Sequence, residues 1–363
     1  MTKKEVVFVG LSGGVDSSVA ALRLIQKGYD VVGVFIRVWH PEFIECNEEA
    51  ERLDAMRVAA HLGIPFLTCD AIDAYKHEVV DYMIREYEKG RVPNPDVMCN
   101  KAVKFGAFLT FALMHGANKI ATGHYARIEE RNGTNVLLRG IDDSKDQSYF
   151  LWALSKNQLA QVLLPIGDTL KSDIRIEAKK AELPTAIKKD SQGICFLGAI
   201  DMQKFLSHYI QEKEGSVLDM DGTRVGTHVG ALFYTIGQRH GFTLTTHATE
   251  TTSHYVVAKN IDENTITVDS KKPTANTQTF ALSDIQLRGV DADLLDTNLT
   301  VETRYHQKPV RVTAVRRNDI FELTITENSE VSSFGQSAVL YVDDVCIGGG
   351  IIEPVLETNN TNT

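Results

Sequence analysis

The feature that most constrains the fold is a short apolar run that ends in a glycine-rich turn near the start of the chain. The run covers residues 6–9, and residues 17–27 follow the turn with the apolar spacing of a helix. A continuous apolar run of this length before a turn predicts a buried strand. The segment therefore predicts a strand, a tight loop and a helix, the opening unit of an α/β sheet.

Strand-like and helix-like segments alternate as far as residue 122. The predicted strands cover residues 30–38, 65–69 and 119–122, and the predicted helices cover 48–62, 75–88 and 99–115. This alternation predicts a parallel sheet covered on both faces. Ligands of such sheets bind at the carboxyl ends of the strands, so the turns after Val9 and Thr122 are expected to share one edge.

Beyond a predicted helix at 201–211, the pattern changes near residue 215 to short alternating segments separated by turn residues. The segments 301–305, 310–315, 321–326 and 338–341 are typical of strands. We predict an α/β catalytic domain, a small central domain, a C-terminal β-barrel-like domain and a disordered polar tail. Their predicted bounds are 1–207, 208–272, 273–356 and 357–363.

Composition limits the class of protein. The net charge of -10 opposes RNA binding, because phosphate contacts need a basic face, and favours an enzyme with a small-molecule substrate. The N-terminus lacks the apolar core of a signal peptide, and no apolar run is predicted to span a bilayer. We expect a soluble cytoplasmic protein without membrane contact.

Five cysteines are scattered through the chain, and no two of them form a C-x-x-C pair. They are Cys46, Cys69, Cys99, Cys195 and Cys346. A structural zinc site is therefore not expected, and no metal ligands are predicted among them. The odd count also opposes a disulfide framework.

The loop from Gly10 to Ser18 has the sequence G-L-S-G-G-V-D-S-S. Its glycines allow backbone N–H groups to face an anion, and the following helix N-terminus adds positive potential. It lacks the lysine of a Walker A loop, and a plain glycine turn is the alternative. The loop resembles the PP-loop of N-type ATP pyrophosphatases, which implies ATP cleavage between the α- and β-phosphates. Asp16 would orient the loop or bind Mg²⁺.

Two cysteines have neighbours that favour reactivity. Cys99 follows two prolines near a predicted helix start, with Lys101 and Lys104 close by, and these features are expected to lower its pKa. Cys195 lies between glycines after a basic run, which fits a loop thiol in covalent chemistry. The alternatives are a buried inert Cys99, and a Cys195 packed by its neighbours Ile194 and Phe196. Cys69 and Cys346 are interpreted as strand packing, and Cys46 is not assigned.

Ten blocks of sequence, in order from residue 5 to 355, resemble the tRNA-specific 2-thiouridylase family. They are G-L-S-G-G-V-D-S-S at 10–18, N-P-D-V-M-C-N-K at 94–101, A-T-G-H-Y-A-R at 121–127, L-L-R-G at 137–140, K-D-Q-S-Y-F-L at 145–151, K-K-D-S-Q-G-I-C-F-L-G at 188–198, Y-T-I-G-Q-R at 234–239, T-R-Y at 303–305, G-Q-S-A-V at 335–339 and G-G-G-I-I at 348–352. Gln192 stands where many relatives carry Thr, and Ile36 where many carry Met.

This resemblance implies ATP-dependent 2-thiolation of the wobble uridine of tRNA, with ATP and Mg²⁺ as cofactors. The implied ATP-binding residues are Gly10, Leu11, Ser12, Gly13, Gly14, Val15, Asp16, Ser17, Ile36 and Gly123. The implied contacts to the target base are Asn94, Pro95 and Asp96. The implied tRNA contacts are His124, which would also lie near the active centre, Lys145, Asp146, Gln147, Arg304, Tyr305 and Gln336.

The resemblance also assigns the sulfur chemistry. Cys99 would be the nucleophile and Cys195 the persulfide carrier, with Asp16 assisting catalysis and a transient Cys99–Cys195 disulfide closing each cycle. The implied partners are a tRNA with a wobble uridine and either a persulfide sulfur carrier or a cysteine desulfurase. RNA contact would rest on local basic residues despite the acidic total charge. The candidates are Lys101, Lys104, Arg127, Arg139, Lys145, Lys188, Lys189, Arg304, Arg311, Arg316 and Arg317.

Two rival functions remain open from the residues alone. An amidating or ligating PP-loop enzyme, such as an argininosuccinate synthase, keeps the ATP chemistry but gives the two cysteines no role. A non-catalytic RNA-binding module with a vestigial loop is disfavoured because Ser12, Asp16 and both cysteines are present.

Overall fold

The computed structural model describes residues 4–44, 47–190, 193, 195, 198, 201–245, 253–288, 298–317 and 320–355. These residues form an N-terminal α/β unit, a central five-stranded sheet and a C-terminal antiparallel barrel. The predicted fold class, α/β with a C-terminal β-barrel-like part, is confirmed.

The described strands are numbered in chain order. They are β1 (Val6–Gly10), β2 (Asp30–Arg37), β3 (Phe66–Asp70), β4 (Lys119–Ala121), β5 (Ala126–Arg131), β6 (Thr134–Arg139), β7 (Val162–Leu163), β8 (Gly215–Leu218), β9 (Arg224–His228), β10 (Thr243–Leu244), β11 (Tyr255–Asn260), β12 (Thr265–Asp269), β13 (Thr274–Ala275), β14 (Gln278–Leu287), β15 (Leu299–Glu302), β16 (Val310–Arg317), β17 (Ile320–Ile325), β18 (Ser329–Glu330), β19 (Ser337–Val342) and β20 (Val345–Glu353).

The described helices are α1 (Val15–Gln26), α2 (Glu48–Leu62), α3 (Ile72–Tyr75, Lys76–Asp81 and Tyr82–Glu88 in succession), α4 (Pro95–Met114), α5 (Lys156–Ala160), α6 (Lys171–Lys180) and α7 (Met202–Leu206). Short 3₁₀ turns cover Ser148–Leu151 and Ala231–Phe233. The helix predicted at 48–62 has the bounds of α2, whereas the helix predicted at 201–211 is only the short α7.

The N-terminal sheet is parallel throughout, in the order β3-β2-β1-β4-β7. Val7 and Val9 of the central strand β1 are fully buried between the helical layers. This burial on both faces explains why β1 is apolar without alternation. The order places the end of β1 between the ends of β2 and β4, so the loops that follow these strands meet at one edge.

Helix α4 begins at Pro95, four residues before the predicted start at Cys99. The Asn94 side chain accepts a hydrogen bond from the Val97 N–H at 3.3 Å, and Pro95 occupies the first helical position. Both are start signals of helices. The middle of α4, Cys99–Ala107, is π-helical, a rare conformation that is found mostly at functional sites.

Helix α4 is also long and apolar enough, by length and composition, to cross a membrane, with a mean hydropathy of 1.3. The prediction that no segment meets these criteria is therefore wrong. The apolar character has another cause, because Val97, Val103, Phe105 and Phe108 of α4 are buried in the main hydrophobic cluster of the molecule.

The central sheet has the order β10-β9-β8-β12-β11. The C-terminal barrel consists of β14, β17, β16, β15, β19 and β20, and it closes because β14 pairs with β20 as well as with β17. Its own apolar core includes Phe280, Val301, Leu323 and Ile352.

A hairpin of the N-terminal part, β5–β6, joins the barrel sheet. Leu137 of β6 pairs with Cys346 of β20, and Leu138 pairs with Val345. The sequence interpretation did not include this hairpin, although its turn residues Asn132 and Gly133 are a strong hairpin signal. The hairpin connects the α/β unit to the barrel through backbone hydrogen bonds.

Candidate active site

The loop after β1 packs so closely against its neighbours that it requires glycine. Gly13 has a φ of 69°, and a side chain there would place its Cβ 2.7 Å from the Glu51 carbonyl oxygen. The Ser12 and Ser17 hydroxyls lie 3.2 Å apart within the same turn. The first N–H groups of α1 and two hydroxyls therefore lie together in one turn, which is the arrangement that binds phosphate.

Gly123, after β4, lies directly against this loop. A Cβ at this position would be 2.6 Å from the Ser17 nitrogen, so only glycine permits the approach. Ile36, in β2, lies on the other side, with its Cδ1 3.6 Å from where a Cβ of Gly10 would stand. The structure thus brings the ATP-site residues predicted on three different strands to one sheet edge.

Asp16 is held by residues from distant parts of the chain. Both of its carboxylate oxygens accept from Lys171 Nζ, at 2.7 and 2.8 Å, and Oδ1 also accepts from the Tyr125 hydroxyl at 2.8 Å. The same Lys171 Nζ lies 2.9 Å from Oδ1 of Asp190, which is close in sequence to Cys195. One ammonium group therefore bridges the loop and the Cys195 segment.

These residues fit a nucleotide and Mg²⁺. Gly13 and Gly123 let the loop pack closely against neighbouring backbone, which orders the N–H groups and hydroxyls that would face the phosphates. The described residues contain no cluster of three or more metal-ligating side chains, whereas Asp16 offers carboxylate oxygens. Mg²⁺ usually takes one or two carboxylates and completes its shell with phosphate oxygens and water, so a single carboxylate beside a phosphate cradle suits it.

The two predicted reactive cysteines lie together. Cys99 Sγ is 3.5 Å from Cys195 Sγ, although the residues are far apart in the sequence. Cys99 is fully buried at the start of the π-helical part of α4, and Cys195 is half-buried. The pair is thus close enough for one sulfur to attack the other after a small movement.

The backbone of Cys195 is held on both sides. Its N–H donates to Asp96 Oδ1 at 2.8 Å, and its carbonyl oxygen accepts from the Tyr75 hydroxyl at 2.9 Å. Asp96 lies in the first turn of α4, beside Cys99, so the helix that carries one cysteine also anchors the other. Burial raises the pKa of Asp96.

The two thiols have opposite pKa shifts. The pKa of Cys195 is lowered to about 7, first because the Cys99 thiol donates a hydrogen bond to it, and further because the Lys104 ammonium is near. Burial raises the pKa of Cys99 well above the ordinary thiol value. The prediction that helix position and neighbouring lysines lower the pKa of Cys99 is therefore wrong, because desolvation outweighs them.

A polar chain continues from the cysteines to Gly123. Lys104 Nζ is 3.5 Å from His124 Nε2, and His124 Nδ1 is 2.7 Å from the Thr122 hydroxyl. Burial and the Lys104 charge lower the pKa of His124 well below its usual value, so the imidazole is neutral. Burial lowers the pKa of Lys104, but the two sulfurs outweigh that effect and raise it. His124 thus lies between Lys104 and the end of β4, next to Gly123.

The segment 145–147 has mixed exposure. Lys145 is partly exposed, and its Nζ lies 3.7 Å from Asp190. Asp146 is buried, and its carboxylate accepts from the Gly140 N–H, the Ser148 N–H and the Ser148 hydroxyl. Gln147 accepts from the Tyr125 N–H at 3.0 Å. The Asp146 side chain therefore stabilises the turn from inside, and Lys145 is the member of this trio that faces outward.

Three further predicted tRNA contacts lie on the barrel side. Gln336 donates to the carbonyl oxygens of Val92 and Pro93, at 2.8 and 3.2 Å, just before Asn94. Tyr305 is 36% exposed and packs against the Phe150 ring, with centroids 4.4 Å apart. Arg304 pairs with Glu330 at 3.2 Å and donates to the Ile236 carbonyl.

A groove of about 470 Å³ runs beside these residues. It is lined by Arg304, Tyr305, His306, Gln307, Lys308, Pro309, Val310, Glu327, Asn328, Ser329 and Glu330. Its walls carry an exposed aromatic stack, because the Tyr305 and His306 rings lie 3.9 Å apart at 25°. Such a surface suits unstacked bases.

Several of the basic residues proposed for RNA contact are already paired within the protein. Arg127 pairs with Asp344 at 2.7 Å, and Lys188 pairs with Asp54 at 2.9 Å. Arg139 pairs with Asp146 and Glu302 and lies 3.6 Å above the Tyr341 ring. Each of these three cations therefore already has a carboxylate partner within the protein.

Sequence reasoning missed Lys171 and Tyr75. Each of them contacts a residue more than a hundred positions away in the sequence. No local sequence pattern distinguishes them from ordinary helical residues. Cys46, Gln192, Ile194 and Phe196 lie outside the described residues, so the predictions that concern them stay predictions.

The fold and the site together define a PP-loop type of α/β nucleotide-binding protein that carries a close cysteine pair beside its loop. Three family models match the chain: "tRNA methyl transferase HUP domain" at 5–199, "tRNA methyl transferase PRC-barrel domain" at 203–270 and "Aminomethyltransferase beta-barrel domain" at 277–352. The chain belongs to the MnmA family of tRNA-specific 2-thiouridylases.

Its similarity to named relatives is spread over the whole length. The tRNA-specific 2-thiouridylase MnmA of Staphylococcus aureus (strain bovine RF122 / ET3-1) is 41% identical over 366 residues, covering 98% of each chain. The protein of the same name from Staphylococcus epidermidis (strain ATCC 35984 / DSM 28319 / BCRC 17069 / CCUG 31568 / BM 3577 / RP62A) is 41% identical over 371 residues, covering 98% of this chain and 97% of its own.

One solved structure with a partial likeness is a 4-thiouridine synthetase–RNA complex with bound ATP. It is 21% identical, covers 56% of this chain and 50% of its own, and has a TM-score of 0.37.

Proposed function

We propose that this chain catalyses ATP-dependent 2-thiolation of the wobble uridine of tRNA, giving 2-thiouridine, AMP and pyrophosphate. The observation that carries the proposal is the 3.5 Å separation of the Cys99 and Cys195 sulfur atoms. The Lys104–His124 contact connects this pair to the turn after β4, where Gly123 lies against the loop of residues 10–18. An amidating or ligating PP-loop enzyme would not need such a pair.

The first half-reaction activates the base, because the C2 oxygen of uridine is a poor leaving group. Transfer of AMP from ATP to this oxygen converts it into a good leaving group. Mg²⁺ would neutralise the charge that develops on the phosphates. We propose that residues 10–17, with Ile36 and Gly123, hold the nucleotide. Asp16 would exchange its Lys171 partner for Mg²⁺, while the Tyr125 hydroxyl would keep its carboxylate in place.

The second half-reaction delivers sulfur from a persulfide on Cys195. In one route the terminal sulfur attacks C2 and displaces AMP, leaving Cys195 linked to the base through two sulfur atoms. The Cys99 thiolate then attacks Cys195 Sγ, which releases 2-thiouridine and forms the Cys99–Cys195 disulfide. In the other route Cys99 attacks first, and the released hydrosulfide displaces AMP. In both routes the two cysteines supply the two electrons that reduce the outer persulfide sulfur, so they end as a disulfide that an external dithiol must reduce before the next cycle.

The pKa values fit these roles. A Cys195 thiol with a pKa of about 7 is a thiolate for much of the time near neutral pH and accepts sulfur readily. Cys99 stays protonated until the disulfide-forming step, because burial raises its pKa. His124 is neutral because burial and the Lys104 charge lower its pKa, so it adds no second positive charge beside the cysteines.

The proposed partners follow from the same chemistry. The sulfur donor is a persulfide carrier or a cysteine desulfurase, and the setting is the cytoplasm. The wobble base must leave the anticodon stack to enter the site, as in other base-modifying enzymes. We propose that Asn94, Pro95 and Asp96 contact this base, and that Lys145, Arg304, Tyr305 and Gln336 lie along the tRNA.

The test is sulfur transfer to unmodified tRNA with ATP, Mg²⁺ and a persulfide donor, followed by mass analysis of the nucleosides. We expect Cys99→Ser and Cys195→Ser each to abolish 2-thiouridine while ATP binding stays close to that of the wild type. Cys69→Ala is the matched control, because Cys69 is a buried cysteine of β3 that is not a member of the pair. Full activity in either serine variant would remove the proposed mechanism.

A further inference from the structure

We propose that Gln336 is a positioning residue for the thiolation site, in addition to its place along the tRNA. This rests on the proposed function, since it concerns how the base contacts and the cysteine pair are held. The Gln336 amide donates to the carbonyl oxygens of Val92 and Pro93, at 2.8 and 3.2 Å. Asn94, the first of the proposed base contacts, is the next residue in the chain. The amide therefore holds the backbone that leads into the site.

The barrel loop, residues 331–336 between β18 and β19, packs closely against residues 92–93. The Val92 N–H donates to the Phe334 carbonyl oxygen at 2.9 Å. Gly335, with a φ of 90°, permits this approach, because a Cβ there would stand 2.9 Å from the Val92 nitrogen. Within the described part of the chain, every hydrogen bond of the 92–93 backbone goes to the barrel loop.

The segment 91–95 joins the end of α3 to the start of α4 and cannot order itself. Pro93 and Pro95 have no backbone N–H, so neither can donate a hydrogen bond within the segment. A connection without internal hydrogen bonds samples many conformations unless partners outside it fix its backbone. The barrel loop supplies those partners, so loss of its contacts frees the segment.

The position of residues 92–93 bears directly on the proposed reacting groups. Asn94 caps α4 with its side chain, and two residues later Asp96 accepts the Cys195 N–H at 2.8 Å. Cys99 follows in the next turn, with its sulfur 3.5 Å from that of Cys195. A shift of residues 92–93 is therefore transmitted along three contiguous residues to the base contacts and to the hold on Cys195.

The first experiment needs neither tRNA nor ATP. The reduced full chain is treated with diamide, which takes two electrons and two protons from a thiol pair, and the Cys99–Cys195 disulfide is followed by peptide mass mapping. Gln336→Met keeps the length and charge of the side chain but removes both hydrogen bonds. We expect it to slow disulfide formation about fivefold or more, since small misplacements of reacting groups cost up to about a hundredfold. Gly335→Ala removes no polar group and should act in the same direction, because its Cβ pushes the barrel loop away from Val92.

Gln278→Met is the matched control for that experiment. The Gln278 amide also donates two hydrogen bonds, to the Ser329 hydroxyl at 2.7 Å and the Glu330 carbonyl oxygen at 2.9 Å, but both stay within the C-terminal part. This variant should form the disulfide at the wild-type rate. Equal slowing in Gln278→Met and Gln336→Met would mean that general stability of the barrel sets the rate, and would overturn the proposal.

The second experiment separates positioning from RNA binding. The dissociation constant of unmodified tRNA is measured for the wild type and Gln336→Met, together with the single-turnover rate of 2-thiouridine formation at saturating tRNA. We expect that rate to fall about tenfold, with little change in the dissociation constant. A raised dissociation constant with wild-type rates of thiolation and disulfide formation would make Gln336 a tRNA contact alone and overturn the proposal. If the wild type forms no 2-thiouridine, the proposed function fails, whereas the diamide experiment still decides this inference.

Discussion

At the scale of single residues, the site depends on how two sulfur atoms share one negative charge. Burial alone would raise the pKa of both thiols, yet the pKa of Cys195 falls to about 7 because Cys99 and Lys104 stabilise its thiolate. Cys99 remains the donor of the pair. Cys195, which would carry the persulfide, is thus the thiolate of the pair. Cys99, which would attack later, stays protonated.

This assignment predicts a pH shift in Lys104→Met. Lys104 favours the Cys195 thiolate, so its removal should raise the pKa of Cys195 above about 7 and reduce the thiolate fraction at neutral pH. The measurement is the pH profile of Cys195 alkylation in the reduced protein. We expect the midpoint to move to higher pH.

The control for that shift is Lys101→Met, because Lys101 is exposed on the same helix. Its midpoint should match that of the wild type. A Lys104→Met profile that overlays the wild-type profile would show that the Cys99 hydrogen bond alone sets the pKa.

The sequence predicted the identity of these residues better than their physical state. The motifs that contain Gly13, Asp96 and Cys195 are contiguous in the sequence and can be recognised there. The pKa shifts were not, because they depend on burial and on partners such as Lys104 and Asp96 that only the folded chain brings together. The same holds for Lys171, whose two partners lie on separate loops.

At the scale of secondary structure, the apolar periodicity was enough to predict β1 to β4 and the helices between them. The start of α4 was predicted four residues late, because the Asn94 cap and Pro95 were treated as loop residues. The hairpin β5–β6 was missed because its strands are only partly apolar. Its turn carried the signal, since Asn132 and Gly133 have φ values of 51° and 73°.

That turn gives a prediction at the element scale. Gly133→Val forces a β-branched side chain into the left-handed region, at a cost of about 1–2 kcal/mol. We expect the free energy of unfolding in urea to fall by about that amount. The loss should appear as a lower midpoint with an unchanged slope.

Thr134→Val is the control for the turn, since it keeps the β-branched shape in the first residue of β6, where φ is not restricted to glycine. It should leave the midpoint within a few tenths of a kcal/mol of the wild-type value. Equal losses in the two variants would mean that the turn conformation is not what stabilises the hairpin.

At the scale of the whole molecule, the acidic total charge and an RNA substrate have to be reconciled. Three candidate cations, Arg127, Arg139 and Lys188, are already paired with carboxylates of the protein, so a phosphate contact by any of them would first have to break such a pair. RNA binding then depends on fewer, local contacts, such as Lys145 and the groove at Tyr305. The predicted domain bounds at 207 and 272 remain predictions, and the β5–β6 hairpin crosses between the units they define.

We predict that tRNA affinity falls steeply with ionic strength despite the net charge of -10. Each phosphate contact releases condensed counterions, and even a few contacts should weaken binding by about tenfold or more between 50 and 200 mM salt. The measurement is a filter-binding or fluorescence titration over that range. A dissociation constant that stays flat would exclude binding through phosphates.

Pairing between β6 and β20 has a consequence for synthesis on the ribosome. Leu137 and Leu138 emerge long before Cys346 and Val345, with which they pair. At usual translation rates the outer edge of β6 stays uncovered for roughly 10 to 40 seconds. In a chain truncated before residue 345, that edge of β6 would stay unpaired permanently. Unpaired strand edges can pair with other chains and so promote aggregation. Nascent and truncated forms of this protein should therefore need chaperones that the finished molecule does not.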